Sequence, residues 1–434
     1  MDPNGIDGLD AQFIGLTSPT APRIQAGGHP CQGIYWTLAG QRPKVAVIAT
    51  HYNVDFSEHY IAPYFARQGI GFLGWNTRYR GFEDQFLLEH AVLDIGVGMR
   101  WLKERAGVEA IVILGNSGGG SLMGAYQAEA IKPTLGTRLN SAGEDALHQL
   151  VKGDLYISFN AHQGRPEVLT DWMDASVLDE TDPVATDPAL DPFNPDNGPP
   201  YSDEFITRYR AAQRARNQRI TDWAKAELAR LNAAGVPDRL FPMFRCWGDI
   251  RCVDPAIDPS DRKPNWCYRG DPAVANRTPS IGRANTLKTW LNMWSLETSP
   301  CQGQPHLAKH DTPALVVQGL ADTGVFPSDA RKIFDFLGST DKSLELIKGA
   351  HYFEDSLEER QNAADHLAQR RRARQIGPLR CHIDAGHDDF IVPRLYQRPD
   401  LIGDFADVSI TKLFFHESRI NIVIWITLKI GVLL

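Results

Sequence analysis

Gly115-Asn116-Ser117-Gly118-Gly119 sets a serine hydroxyl among small residues, directly behind the apolar stretch EAIVILGN (109–116) and ahead of a small-residue stretch over 118–130. A strand that turns sharply into a helix at a serine exposes that hydroxyl and aims the first helical N–H groups at whatever it attacks. Glycines at 115 and 119 suit the close backbone approach such a turn needs. A glycine turn could instead hold a dinucleotide or a phosphate, but the order is GNSGGG rather than GxGxxG, and no lysine follows. A serine hydroxyl is a weak nucleophile without a base, and the base needs an orienting acid. Both lie downstream: Asp322 in PALVVQGLADTGV and His351 in SLELIKGAHYFE, each just past a short apolar run. Ser117, Asp322 and His351 are therefore the candidate nucleophile, acid and base. The Ser117 hydroxyl is expected about 2.6–3.2 Å from a His351 ring nitrogen.

These three residues are far apart in the chain, so the elements around them must do the positioning. GIYWTLAG (33–40), PKVAVIAT (43–50), GIGFLGWN (69–76), EAIVILGN (109–116) and GDLYISFN (153–160) read as strands. Helical spacing on one face appears over 84–105, through Leu88, Ala91, Val92, Ile95, Met99 and Leu102. A further helix is predicted around 57–68. The alternation resumes with a strand at 313–319, a helix near 327–337, a strand at 343–349 and a helix near 357–374. Alternating strands and helices predict βα crossovers and a mostly parallel sheet covered on both sides. In such sheets the functional loops lie at the carboxyl ends of the strands, where Ser117, Asp322 and His351 all fall. Between 163 and 309 the rhythm breaks. Residues 181–202 hold six prolines among Asp, Asn and Gly and read as an irregular loop, and 203–234 as one long helix or a hairpin of two. With Trp247, Trp266, Trp290 and Trp294 following, the segment reads as an aromatic-rich inserted cap over the pocket.

Over 33–162 and 310–376 the chain resembles the α/β-hydrolase superfamily, on the motifs GNSGG, GLADTGV and GAHYFE. The resemblance implies an eight-stranded, mostly parallel sheet with the cap inserted after the sixth strand, which GDLYISFN matches. The domains then run 1–162 and 310–376 for the core, 163–309 for the cap and 377–434 for an atypical tail. The elbow serine sets the chain apart from relatives with aspartate there. An oxyanion hole requires two donors. The first is the Gly118 backbone N–H. By resemblance the second comes from the loop His51-Tyr52-Asn53, where the family usually has His-Gly. The Tyr52 backbone, the Asn53 backbone and the Tyr52 hydroxyl are all open, with Tyr52 preferred. The resemblance implies ester hydrolysis through an acyl-enzyme, with no metal or organic cofactor. Amide or peptide hydrolysis stays open, as does carbon–carbon bond hydrolysis, because Asn before the serine resembles meta-cleavage-product hydrolases. A non-catalytic binding protein of the same fold is the remaining alternative, though such proteins typically lose a triad member. The aromatic cap predicts a small, rather apolar ester as the substrate.

A formal net charge of −8 offers no electrostatic reason to seek nucleic acid or anionic membranes. The basic run Arg370 to Arg374 reads as a solvated helix end. Six cysteines in 434 residues form no disulfide framework, and Cys246, Cys252, Cys267 and Cys301 contain no CxxC pair, so buried free thiols are expected rather than zinc. The aspartates of 181–202 lack the spacing of an EF-hand loop. MDPNGIDGLDAQF lacks a basic and then apolar leader, which predicts a cytoplasmic protein. The last residues, INIVIWITLKIGVLL, fall short of the roughly 20 needed to span a bilayer and read as a buried strand or tail, with no stable membrane insertion. Asp94 and Arg78 are expected to cap or pair at the sheet edge rather than to catalyse.

Overall fold

A computed structural model of the chain describes residues 7–23 and 27–375. The tail over 377–434, the side chains of Arg370 to Arg374 and the sixth cysteine, Cys381, lie outside the described residues. Ten strands appear: β1 Leu9–Leu16, β2 Cys31–Leu38, β3 Val45–Ala49, β4 Gly71–Asn76, β5 Ala110–Ser117, β6 Leu155–Ala161, β7 Leu240–Pro242, β8 Ala284–Thr286, β9 Ala314–Gly319 and β10 Lys342–Ile347. Eight of them form one sheet in the order β1-β2-β4-β3-β5-β6-β9-β10, while β7 and β8 make a separate ribbon. Strand β2 runs antiparallel to both β1 and β4, and the pairs from β4 through β10 are parallel. This is the α/β-hydrolase architecture, with an inserted run of helices between β6 and β9.

The central strands are buried on both faces, which is why they read as unbroken apolar runs rather than as alternating ones. In β5, Ile111 and Ile113 enter one core while Val112 and Leu114 enter the other. The first core holds α2 (Leu88–Glu104) and α3 (Gly119–Ile131); the second holds α1 (Ala62–Arg67) and α12 (Leu357–Gln375). Helix α1 is shorter than the predicted 57–68, because Pro63 sits in its first turn, where a missing N–H costs nothing. Strand β1 carries no strand signal, since only Ile14 of its residues is buried at this sheet edge. The short α4 (Ser141–Leu147) was also not anticipated; its start is set by Asn140, whose side chain accepts from the Gly143 N–H.

The inserted segment carries α5 (Arg165–Trp172), α6 (Asp203–Ala233), α7 (Ile250–Val253), α8 (Pro272–Ala275), α9 (Leu287–Thr289) and α10 (Gly303–Leu307). Helix α6 is a single helix of 31 residues, capped by the Ser202 side chain on the Phe205 N–H, so the hairpin alternative is not adopted. The proline-rich stretch before it is built of turns in which Asp179, Asp182, Asp187 and Asp191 each accept a backbone N–H two residues on. Trp247, Trp290 and Trp294 are buried in packing, while Trp266 is partly exposed. The described residues end with α11 (Pro327–Phe336), β10 and α12. No helix among the described residues is long and apolar enough to cross a membrane.

Candidate active site

Ser117 ends β5 with φ +54°, a left-handed conformation that a serine adopts only where its surroundings enforce it. The enforcement is close backbone packing. A Cβ on Gly115 would stand 2.5 Å from the Gly120 Cα, and one on Gly119 would stand 2.3 Å from the Thr50 carbonyl oxygen. Only glycine fits either place. Asn116, between them, is fully buried and ties the elbow to its neighbours: its amide donates to the Phe159 carbonyl at 2.8 Å, and its Oδ1 lies 3.1 Å from His59 Nε2. That bracing gives the asparagine before the serine a structural task.

The loops after β9 and β10 bring the other two candidates to the same sheet edge. His351 Nε2 lies 3.0 Å from Ser117 Oγ, and His351 Nδ1 lies 2.8 Å from Asp322 Oδ2. A carboxylate only accepts, so Nδ1 carries the ring proton and Nε2 is left to accept from the serine hydroxyl. Asp322 is itself fixed, with Oδ1 accepting the Gly324 and Val325 N–H groups at 2.7 and 3.0 Å. Burial works against a charged His351, but the Asp322 carboxylate outweighs it and raises the imidazole above its ordinary pKa. From the inserted segment, the Tyr268 ring stacks on His351 at 5.9 Å and 17°.

Three further polar side chains crowd the serine that sequence reading passed over. His162 Nε2 lies 3.4 Å from Ser117 Oγ. It is held neutral by burial first and by the nearby Arg165 charge second. His51 and Arg165 both abut Gly118. Arg165 is 2% exposed, pairs with Glu83 at 3.1 Å and lies over the Tyr52 ring at 4.3 Å. His162 and Arg165 follow β6 directly. Their place at the carboxyl end of a central strand was the available signal.

The second-donor candidates are sorted by their partners. The Tyr52 side chain is buried, its hydroxyl engaged 3.1 Å from Ser121 Oγ. The Asn53 N–H is engaged by His51 Nδ1 at 3.3 Å. The backbone N–H groups of Gly118 and Tyr52 make no hydrogen bond with the described residues. Asp94, in α2, accepts from Arg78 through both carboxylate oxygens at 2.7 and 2.8 Å, away from the elbow.

Ser117, His162, Arg165, His51 and Tyr352 border a cavity of about 330 Å³. Its wall also carries Glu83, Asp84, Arg269 and Arg283, and Trp172 is the tryptophan that reaches it. Of the tryptophans taken to mark an apolar pocket, Trp247, Trp290 and Trp294 are buried packing residues and Trp266 is exposed, and the lining is largely polar.

No protein-family model matches the chain, and no curated protein matches it. Among solved structures it is similar to DcsB in complex with a substrate analogue, at 15% identity over 85% of this chain and 100% of that one, with a TM-score of 0.46. It is similar to the α/β hydrolase GrgF from Penicillium sp. sh18, at 14% identity over 84% of this chain and 99% of that one, TM-score 0.45. It is also similar to Est1E from Butyrivibrio proteoclasticus, at 11% identity over 84% and 99%, TM-score 0.40. At identities and TM-scores this low, the fold assignment rests on the strand order and elbow of the chain itself.

Proposed function

We propose that this protein is a serine hydrolase that cleaves a carboxylic ester through an acyl-enzyme. The observation that carries the reading is the continuous chain Ser117–His351–Asp322, at 3.0 and 2.8 Å, opening on a cavity at the carboxyl ends of the strands. In the first half-reaction the Ser117 oxygen attacks the ester carbonyl as its proton passes to His351 Nε2. The carbonyl π electrons move onto oxygen, and the Gly118 and Tyr52 backbone N–H groups are free to receive that charge. Collapse breaks the carbon–alkoxy bond, and the alcohol leaves with the proton held by His351. Water then repeats the sequence on the acyl-enzyme and releases the acid. Asp322 keeps the imidazole in the required tautomer and favours the imidazolium that forms at each step.

The wall of arginines, acids and histidines favours a small ester bearing polar groups over the apolar one expected from the tryptophan count. Asn116 braces the elbow, so its place before the serine does not by itself favour carbon–carbon over ester hydrolysis. The reading is tested with p-nitrophenyl esters of graded chain length and polarity. Ser117→Ala is expected to lower kcat on the best of them by about 10³–10⁶-fold, and adding His351→Ala to cost little more, because the residues act as a unit. Full ester hydrolysis by Ser117→Ala would exclude the serine mechanism.

A further inference from the structure

Gly118 has φ −55°, ordinary helical backbone, so nothing in its conformation calls for glycine. Space does. A Cβ there would stand 2.6 Å from His51 Nε2 and 2.9 Å from Arg165 Nη1. Two long polar side chains thus converge on the residue that follows the nucleophile, and its missing side chain is what admits them.

The state of each side chain follows from its other contacts. His51 Nδ1 accepts from the Asn53 and Val54 backbone N–H groups, both at 3.3 Å. A ring nitrogen that accepts carries no proton. Burial first, and the Arg165 charge second, push the His51 pKa well down, so the ring is neutral. Its single proton is therefore on Nε2, the nitrogen over Gly118. Asn53 Oδ1 lies 3.1 Å from Nδ1, and an amide oxygen only accepts, so this tautomer requires the Asn53 amide turned over, with its NH2 toward the ring. Arg165 is held by Glu83 through Nη2 and by stacking on Tyr52 and Trp294, at 4.3 and 5.0 Å. Its Nε has no partner among the described residues, and Nη1 is the nitrogen turned to Gly118. The guanidinium is charge-paired with Glu83 on one side, while its Nε and Nη1 donors, beside the nucleophile, are left for another acceptor.

We propose that His51 Nε2–H and Arg165 Nη1–H are side-chain donors of the oxyanion hole, acting beside the Gly118 backbone N–H. The proposal rests on Ser117 being the nucleophile. When the Ser117 oxygen bonds to the carbonyl carbon, the π pair becomes a full negative charge on the former carbonyl oxygen. The serine proton goes to His351, and His51 and Arg165 keep theirs, so their whole contribution is electrostatic. Backbone N–H groups bring partial charges, whereas Arg165 brings a formal one, already desolvated and held in place before the reaction. Donors fixed ahead of the charge cost no reorganisation when it appears.

The test compares His51→Leu with wild type, and Arg165→Met/Glu83→Gln with Glu83→Gln alone, so that no buried carboxylate is left unpaired. Each loss is expected to lower kcat on a p-nitrophenyl ester by about 10²–10³-fold with KM within about threefold. Inhibition by a trifluoromethyl ketone, whose serine adduct bears the oxyanion, should weaken in step. His51→Gln, which restores a side-chain N–H, should recover part of the loss. Where circular dichroism shows a large variant unfolded, His51→Gln and Arg165→Lys carry the same kcat-against-KM comparison. Folded variants with kcat unchanged, or with only KM raised, would overturn the proposal while Ser117→Ala inactivity upholds the serine mechanism. A Ser117→Ala protein with full activity would overturn both.

Discussion

At the residue scale, the environment of His351 sets a pH dependence. The base must be neutral to take the serine proton, so kcat/KM is lost as pH falls through its pKa. Asp322 raises that pKa against the opposing effect of burial. The acidic limb of the kcat/KM profile is therefore expected above the ordinary histidine value of 6.5. In Asp322→Asn the carboxylate is gone and burial is opposed only by the weaker effect of Glu354, so the limb should move to lower pH while kcat drops by roughly 10⁴-fold. A wild-type limb at or below the ordinary value would show that His351 is not the base being titrated. The same scale shows where sequence reading stops. Serine, acid and histidine each follow their own apolar stretch and could be picked out one by one. His51 carries no local signature of nearness to Ser117, and the place of His162 and Arg165 after a central strand does not say that they reach it; that approach is made only in the folded chain.

At the element scale, α2 is tied by charge to the segment that follows β4. Asp94 is fully buried on α2 and receives the Arg78 side chain at 2.7 and 2.8 Å and the Arg78 backbone N–H at 3.0 Å. The same guanidinium reaches Ser18 Oγ and Thr20 Oγ1 at 2.8 Å, holding the segment after β1. Arg78→Met strands a buried carboxylate and frees that segment. It is expected to lower unfolding stability by about 3–5 kcal/mol in urea, since breaking one side of a buried pair leaves an uncompensated charge. A loss under about 1 kcal/mol would mean that Asp94 is met by solvent rather than by Arg78. Elements were legible where one physical rule dominated. Strands β3, β5, β6 and β9 are buried on both faces and read as apolar runs. Strand β1 was illegible because its edge position leaves it mostly exposed, and α1 was over-read because a proline sets its first turn.

At the scale of the whole molecule, α12 is the last described element, and Ala363, Ala364, Leu367 and Ala368 bury its face in the second core. The described strands, the candidate site and the two core clusters are all drawn from residues 7–23 and 27–375. A chain ending at Gln375 is therefore expected to fold and to retain most of its esterase activity, measured as kcat/KM on the preferred p-nitrophenyl ester. An insoluble or inactive truncation would assign 376–434 a part in the core or in an interface. What the sequence by itself determined is local: apolar runs of strand length, a helix of regular spacing over α2, and small residues at the turn around Ser117. Periodicity and backbone sterics act over a few residues, so they leave a trace in a few residues. Only the tertiary structure decided that α6 is one helix, that Trp247, Trp290 and Trp294 pack inward, and that a histidine from the loop after β3 and an arginine at the start of α5 meet at Gly118. Each depends on which surfaces the sheet order brings together, and that order is set by burial summed over the whole chain.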